Sequence, residues 1–442
     1  MSIELITVLM FSGLLFLLLL GMPVAFATGA LAVLFIFFLW SPEALVVIAV
    51  RAFGQMYQYL LFAIPLFIFL ANILQKAGII EDMFITFREW TGPLGGGLAI
   101  ACVLVGTLLA AVVGVIGAAV VTMGIIGLPA MLKRKYNKGI ALGSIMAGGT
   151  LGILIPPSVL FILYSLVAGE SCGKLFIGGI LPGLVLSALF CIYIAIRCWR
   201  NPKLGPPLSK EERAKLTWKR KLVDLRGIAF PIGIILLVFG SIFTGVASIT
   251  ESAGVGAFLA CVCAATKRQL TWKNFTAASH QTVVATCMVL WTMFGAQAFV
   301  TFYIAVGGSE FISKLVLGTG LGPYGILWLI MGILIFLGCF LDWVGIMLLC
   351  VPIFLPIIKI LGFDPLWFGI IYNVNMQMSF LSPPFGYALF YMKGVAPPDI
   401  SMEDIIKAAL PFLGLQFLGL IICIKWPIIC LYLPSLMFTG FK

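Results

Sequence analysis

Apolar runs alternate with short polar turns along the whole chain, and most runs reach the roughly 20 residues that cross a bilayer. The pattern predicts spans near 4–21, 23–41 and 45–78, a long apolar block near 94–132, and spans near 139–169 and 174–199. After a polar stretch it resumes with 227–246, 248–266 and 276–305, a second block near 323–361, and spans near 365–393 and 406–436. Each block, 39 residues long, is too long for one crossing and carries small or polar residues at its centre, Ala110–Ala119 in the first and Gly338–Gly345 in the second. Two half-helices meeting at the membrane midplane, a re-entrant hairpin, account for both. The spans at 139–169 and 365–393 are each interrupted by a double proline, Pro156-Pro157 and Pro383-Pro384. Proline breaks the helical hydrogen-bond ladder and frees backbone carbonyls.

The two interruptions lie 227 residues apart, and the same offset places Pro129 on Pro356, Leu128 on Leu355, Leu154 on Leu381 and Tyr164 on Tyr391. The chain therefore reads as two repeats, 1–200 and 227–442, joined by a hydrophilic linker at 201–226. The expected fold is an all-α polytopic membrane protein with two hairpins and two broken helices. Broken helices at matching positions of two halves are the sequence signature of repeat-built secondary transporters.

Composition agrees: 62% of the 442 residues are hydrophobic and 10% are charged, against roughly 25% charged in soluble domains. The first apolar run lacks a basic leader and a small-residue cleavage site, and reads as a retained helix. The formal charge of +11 comes largely from three loops, which hold 17 of the 27 basic residues: Lys133–Lys138, Arg197–Arg226 and Lys267–Lys273. The positive-inside rule places all three in the cytoplasm, so the charge sets topology rather than binding nucleic acid. Ten crossings and two opposed hairpins satisfy the three clusters, with inverted halves and both termini outside. The eleven cysteines show no metal-ligand spacing and the single histidine is His280, so no catalytic or metal constellation is visible and no enzyme activity is expected. Nucleotide-binding loops are absent as well, so the chain itself is not expected to use ATP.

Hairpin tips and helix breaks supply free carbonyls for a cation and half-helix N-termini for an anionic group. The first candidate cation site combines Val113, Gly114 and Gly117 at the first tip with Thr150, Gly152, Ile155 and Pro157 at the first break. The second combines Gly338 and Asp342 with Asn375, Gln377, Ser379, Ser382 and Pro384. A substrate cavity is expected around Gly114, Ser158, Asp342 and Asn375. Asp342 is either a ligand facing the second site or a cap for the half-helix that follows it. Glu251 has the same two readings, a coupling residue or a helix start.

These pieces resemble the large membrane subunit of the tripartite ATP-independent periplasmic (TRAP) transporters. The resemblance covers nearly the whole chain and rests on Ala63-Ile-Pro-Leu-Phe-Ile-Phe69, Pro129–Tyr136, Gly149–Ser158, Gly338–Asp342 and Asn375–Pro384. It implies sodium-driven uptake of a small organic acid by an elevator mechanism, in a bacterial inner membrane. It also implies a small four-helix membrane subunit and a periplasmic substrate-binding protein as partners, with sodium as coupling ion and no other cofactor. Where relatives of this family carry serines around the first tip, this chain has Val113, Val115 and Ile116, so hydroxyl ligands are missing there. The competing readings are a stand-alone sodium/divalent-anion symporter and an ion channel.

Overall fold

The computed structural model describes residues 1–113, 116–209, 211–212, 221, 224–384 and 386–437. Its first part runs through helices α1 (Ile3–Leu19), α2 (Val24–Leu39), α3 (Val46–Met56), α4 (Ala63–Lys76) and α5 (Ile79–Thr91). Next come α6 (Gly97–Val113), α7 (Ile116–Lys133), α8 (Lys138–Thr150), α9 (Val159–Ala168) and α10 (Cys172–Arg200). The second part comprises α11 (Arg226–Phe243), α12 (Ile249–Thr266), α13 (Trp272–Ala305), α14 (Gly308–Leu317), α15 (Pro323–Gly338) and α16 (Trp343–Ile360). It closes with α17 (Pro365–Ser379), α18 (Tyr387–Val395), α19 (Met402–Lys425) and α20 (Ile428–Leu436).

Among the described residues, seven helical stretches have the length and apolarity of a membrane span, and seven shorter apolar helices accompany them. Four of the short ones, Gly97–Ala111, Lys138–Ile153, Val159–Ala168 and Pro323–Gly338, are pieces that the tips and breaks create. α6 packs on α7 as one hairpin and α15 packs on α16 as the other. α8 gives way to a turn of 3-10 helix at Leu151–Ile153 before α9 starts, and α17 ends at Ser379 before α18 starts at Tyr387. Both proline pairs are joined by cis peptide bonds. Shifted by 227 residues, α7 falls on α16 end to end and α8 begins where α17 begins.

The helices sort into two packed groups. In one, α13 packs along α2 and α4, and α12 packs along α4. In the other, the hairpins cross over the breaks: α7 lies on α18 and α16 lies on α9, so each tip is held by the broken helix of the opposite half. α6 and α8 approach closely because Gly106 and Gly148 face each other; a Cβ on Gly106 would stand 2.5 Å from the Gly148 carbonyl oxygen. The linker straps the open end of the first hairpin. Gly96 N–H donates to the Gly205 carbonyl at 2.8 Å and Asn137 N–H to that of Leu204 at 2.9 Å. Arg134 grips Glu212 with two hydrogen bonds of 2.9 and 2.5 Å. The guanidinium holds the Glu212 carboxyl down at about 2.

Four elements depart from the apolar pattern. The run at 45–78 is divided: α3 ends at Met56, and the chain turns at Tyr57–Gln58 before α4. Helices α5 and α14 occupy segments that looked like loops. Both are amphipathic: in α5 Ile79, Ile80, Met83 and Phe84 are buried while Glu81 and Asp82 sit in its first turn. The run at 406–436 is split after Lys425, at Trp426-Pro427, where proline ends the helix.

Candidate functional site

A cavity of about 180 Å³ lies where the two tips, the two breaks and the first helix group meet. Ile116 and Gly117 come from the first tip, Asp342 and Trp343 from the second, Ile153 and Val159 from the first break, and Phe380, Tyr387 and Tyr391 from the second. α4 contributes Ile68, and α13 closes it with Met288, Val289 and Thr292. The lining is mostly apolar and aromatic with a few polar groups, as in small-molecule sites generally.

Asp342 is buried at this cavity. Its backbone occupies the N-cap position of α16, yet its side chain makes no capping hydrogen bond, and Oδ2 is buried without a partner. A buried carboxylate oxygen left without a partner is costly, and the first-turn N–H groups of α16 at Trp343, Val344 and Gly345 are the donors that face this carboxylate, so the cap position and the open oxygen both belong to its role. Glu251 resolves as a helix start: it completes a capping box with Ser248 at the start of α12. His280 is exposed.

Around the second break the polar groups are left open. Asn375 Nδ2 donates to the Met331 carbonyl of α15 at 3.2 Å, but Asn375 Oδ1, Ser379 Oγ and both polar atoms of the Gln377 amide are buried without partners. Each such atom costs on the order of 1–3 kcal/mol. Gly338 brings the tip onto the break, for an added Cβ there would overlap Ser379 Oγ and stand 2.5 Å from Ser379 Cβ. Ser382 Oγ is committed to the Met378 carbonyl at 2.8 Å, and Pro384 is exposed. Gln377 lies about 200° around the helix from both Asn375 and Ser379, so one face does not gather all three.

At the first break the side chains on the break itself are engaged, and among the described residues the one open atom is Oε1 of their partner Gln416. Thr150 Oγ1 donates to the Ala147 carbonyl at 2.8 Å and accepts from Gln416 Nε2 of α19 at 2.9 Å. Ser158 Oγ donates to the Ile153 carbonyl, and the Ile155 side chain packs on Gly183 of α10. Gly152 and Pro157 are buried. Gly117 lies under the Tyr391 ring, with an added Cβ 3.0–3.3 Å from its carbons. Gly114 and the Val113 side chain lie outside the described residues.

Of the residues expected at the substrate cavity, Asp342 lines it, and Gly117, expected at the first cation site, lines it too. Asn375 and Ser158 are not on its wall. Sequence reasoning missed the wall from α4 and α13, whose residues are ordinary apolar side chains, and the Tyr387 and Tyr391 pair. The alignment of Tyr391 with Tyr164 under the 227-residue offset was the available signal. Between the groups, Gln75 Nε2 of α4 donates to Thr122 Oγ1 of α7 at 2.9 Å.

Residues 11–429 match the family described as "Tripartite ATP-independent periplasmic transporter, DctM component". The C4-dicarboxylate TRAP transporter large permease protein DctM of Vibrio cholerae is 31% identical, over 94% of this chain and 95% of that one. The isethionate TRAP transporter permease protein DctMQ of Oleidesulfovibrio alaskensis is 29% identical, over 93% of this chain and 64% of that one. Other large-permease relatives are named for ectoine and for sialic acid. In fold, the chain resembles the YdaH transporter of Alcanivorax borkumensis, with a TM-score of 0.57 at 14% identity over 91% of this chain and 90% of that one.

Proposed function

The chain belongs to the DctM-component family of the tripartite ATP-independent periplasmic transporters, as a large permease subunit, and on that premise we propose that it carries a small organic acid across a bacterial inner membrane, driven by sodium. The observation that carries this reading is the cavity at which both tips, both breaks and α13 converge around Asp342, whose Oδ2 is buried without a partner. Sodium takes oxygen ligands. The second tip and break, with Asp342 Oδ2, Ser379 Oγ and Asn375 Oδ1 without partners, offer them as side chains, and the first offers carbonyls. Ion binding there satisfies buried groups that otherwise destabilise the fold, which links sodium to the arrangement of tip and break.

The hairpins and breaks form one packed unit, and α2, α4, α12 and α13 form another. We read the first as the moving element and the second as the fixed wall, sliding past each other as in an elevator, with the Gln75–Thr122 hydrogen bond broken and remade between states. Halves inverted across the membrane, a cytoplasmic linker and external termini complete the topology. A small four-helix membrane subunit and a periplasmic substrate-binding protein are the proposed partners; the part of the DctMQ relative that this chain does not cover leaves room for the former. Reconstitution tests the reading: uptake into proteoliposomes should need an inward sodium gradient and all three proteins. Uptake by this chain alone would instead indicate a stand-alone symporter.

A further inference from the structure

A second cavity, of about 620 Å³, opens between α3 and α13 on one side and α9 and α16 on the other. Its wall uses Leu163–Val167 at the far end of α9 and Met293–Ile304 at the far end of α13. The broken span that ends in α9 begins with α8 at the basic turn of Lys138, and α13 begins after that of Lys267, so the cavity lies toward the face away from those turns. On α13 it starts at Met293, one residue beyond Thr292 of the central cavity, and the two cavities are successive stations along one helix.

Its polar lining is Arg51, Gln55, Gln58 and Gln297, and Arg51 is the one charged residue among the lining. The turn at Tyr57–Gln58 that ends α3 is what places this helix at the cavity. Among the described residues Arg51 makes no ion pair. A guanidinium presents a planar fork of donors matched to a carboxylate or sulfonate, and the glutamines add donors without a competing negative charge. We infer that this cavity is an entry site for an anionic substrate, in which Arg51 takes the carboxylate or sulfonate before it passes to the central cavity. The inference rests on the organic-acid reading above, and its test has one arm that does not.

In that arm, exposed Cys287 is replaced by Ser and a cysteine is introduced by Gly54→Cys, where an added Cβ meets open space. The reaction rates gained at that site are compared for an anionic and a cationic thiol reagent, the sulfonatoethyl and trimethylammonioethyl methanethiosulfonates. The anionic reagent should be favoured by about tenfold; Arg51→Gln should remove the preference and Arg51→Lys should keep it. A preference unchanged in Arg51→Gln overturns the inference. In the second arm, the assembled three-protein system takes up succinate or isethionate, and Arg51→Gln should raise KM about tenfold with the maximal rate held within about twofold. An unchanged KM overturns the entry role. If the unsubstituted system carries neither anion, the transport reading fails for these anions, while the reagent preference still decides whether the cavity selects anions.

Discussion

Gly338→Ala tests how tightly the second tip is seated on its break. An added Cβ would overlap Ser379 Oγ and stand 2.5 Å from Ser379 Cβ. A rotamer change moves the hydroxyl but leaves the Cβ where it is, so the tip or α17 must shift. Overpacking of this kind costs about 1–3 kcal/mol. At about 2 °C per kcal/mol, the low end for large domains, the melting temperature should fall by about 2–6 °C. The 227-residue offset suggests the remedy, because Gly338 and Ser379 correspond to Ala111 and Gly152 in the first half. In a Ser379→Gly background the nearest remaining atom is the residue 379 Cα at 3.4 Å, an ordinary contact, so Gly338→Ala should then lower the melting temperature by less than about 1 °C. The assay is thermal unfolding of the purified protein in nanodiscs, in sodium chloride and in choline chloride. Sodium should raise the melting temperature of the parent and not of the double variant, which has recovered its packing but lost a hydroxyl ligand. An equal drop from Gly338→Ala in both backgrounds would refute the seating of tip on break.

Asp342→Asn should leave expression intact and raise the sodium concentration for half-maximal uptake by about tenfold or more, equivalent to ~1.4 kcal/mol; unchanged sodium dependence would remove Asp342 from the second site. Glu212→Gln should loosen the strap on the first hairpin by at most about 1 kcal/mol, since the pair is partly exposed. Because the folded carboxyl is held at about 2, below its unfolded value of roughly 4.3, its contribution is complete above that value and fades only as pH falls toward 2. The loss in melting temperature should therefore be the same at pH 6 and pH 8 and shrink in high salt, and a change across that window would contradict the assignment. A cysteine introduced by Lys203→Cys, on the exposed linker, should react with a membrane-impermeant reagent from the cytoplasmic side alone; labelling from outside would reverse the proposed topology.

Much of this architecture was legible because its signals are local. A proline pair in an apolar run breaks a helix wherever it packs, and the 39-residue blocks at 94–132 and 323–361 do not fit one crossing. Both became the hairpins and interruptions seen here. Helices α5 and α14 escaped notice because their apolar faces are short and mixed with charge, a period of 3.6 rather than an unbroken run. The candidate site was legible where chemistry is rare: an acid at 342 in an apolar block stands out. Its partners were less so. Thr150 meets Gln416, 266 residues away, and the difference between a first break whose own side chains are engaged and a second whose side chains are open exists only in three dimensions. The cavity wall from α4 and α13 is apolar, like most of the chain, and nothing in the pattern marks which apolar faces meet a substrate.

The most direct test of the central claim is uptake of a radiolabelled organic acid into proteoliposomes holding this chain and its small membrane subunit, with the binding protein supplied outside. The account predicts accumulation that requires an inward sodium gradient and the binding protein, and that collapses when sodium is replaced by choline. Accumulation that persists without sodium would contradict it and reassign the open ligands around Asp342 and Ser379.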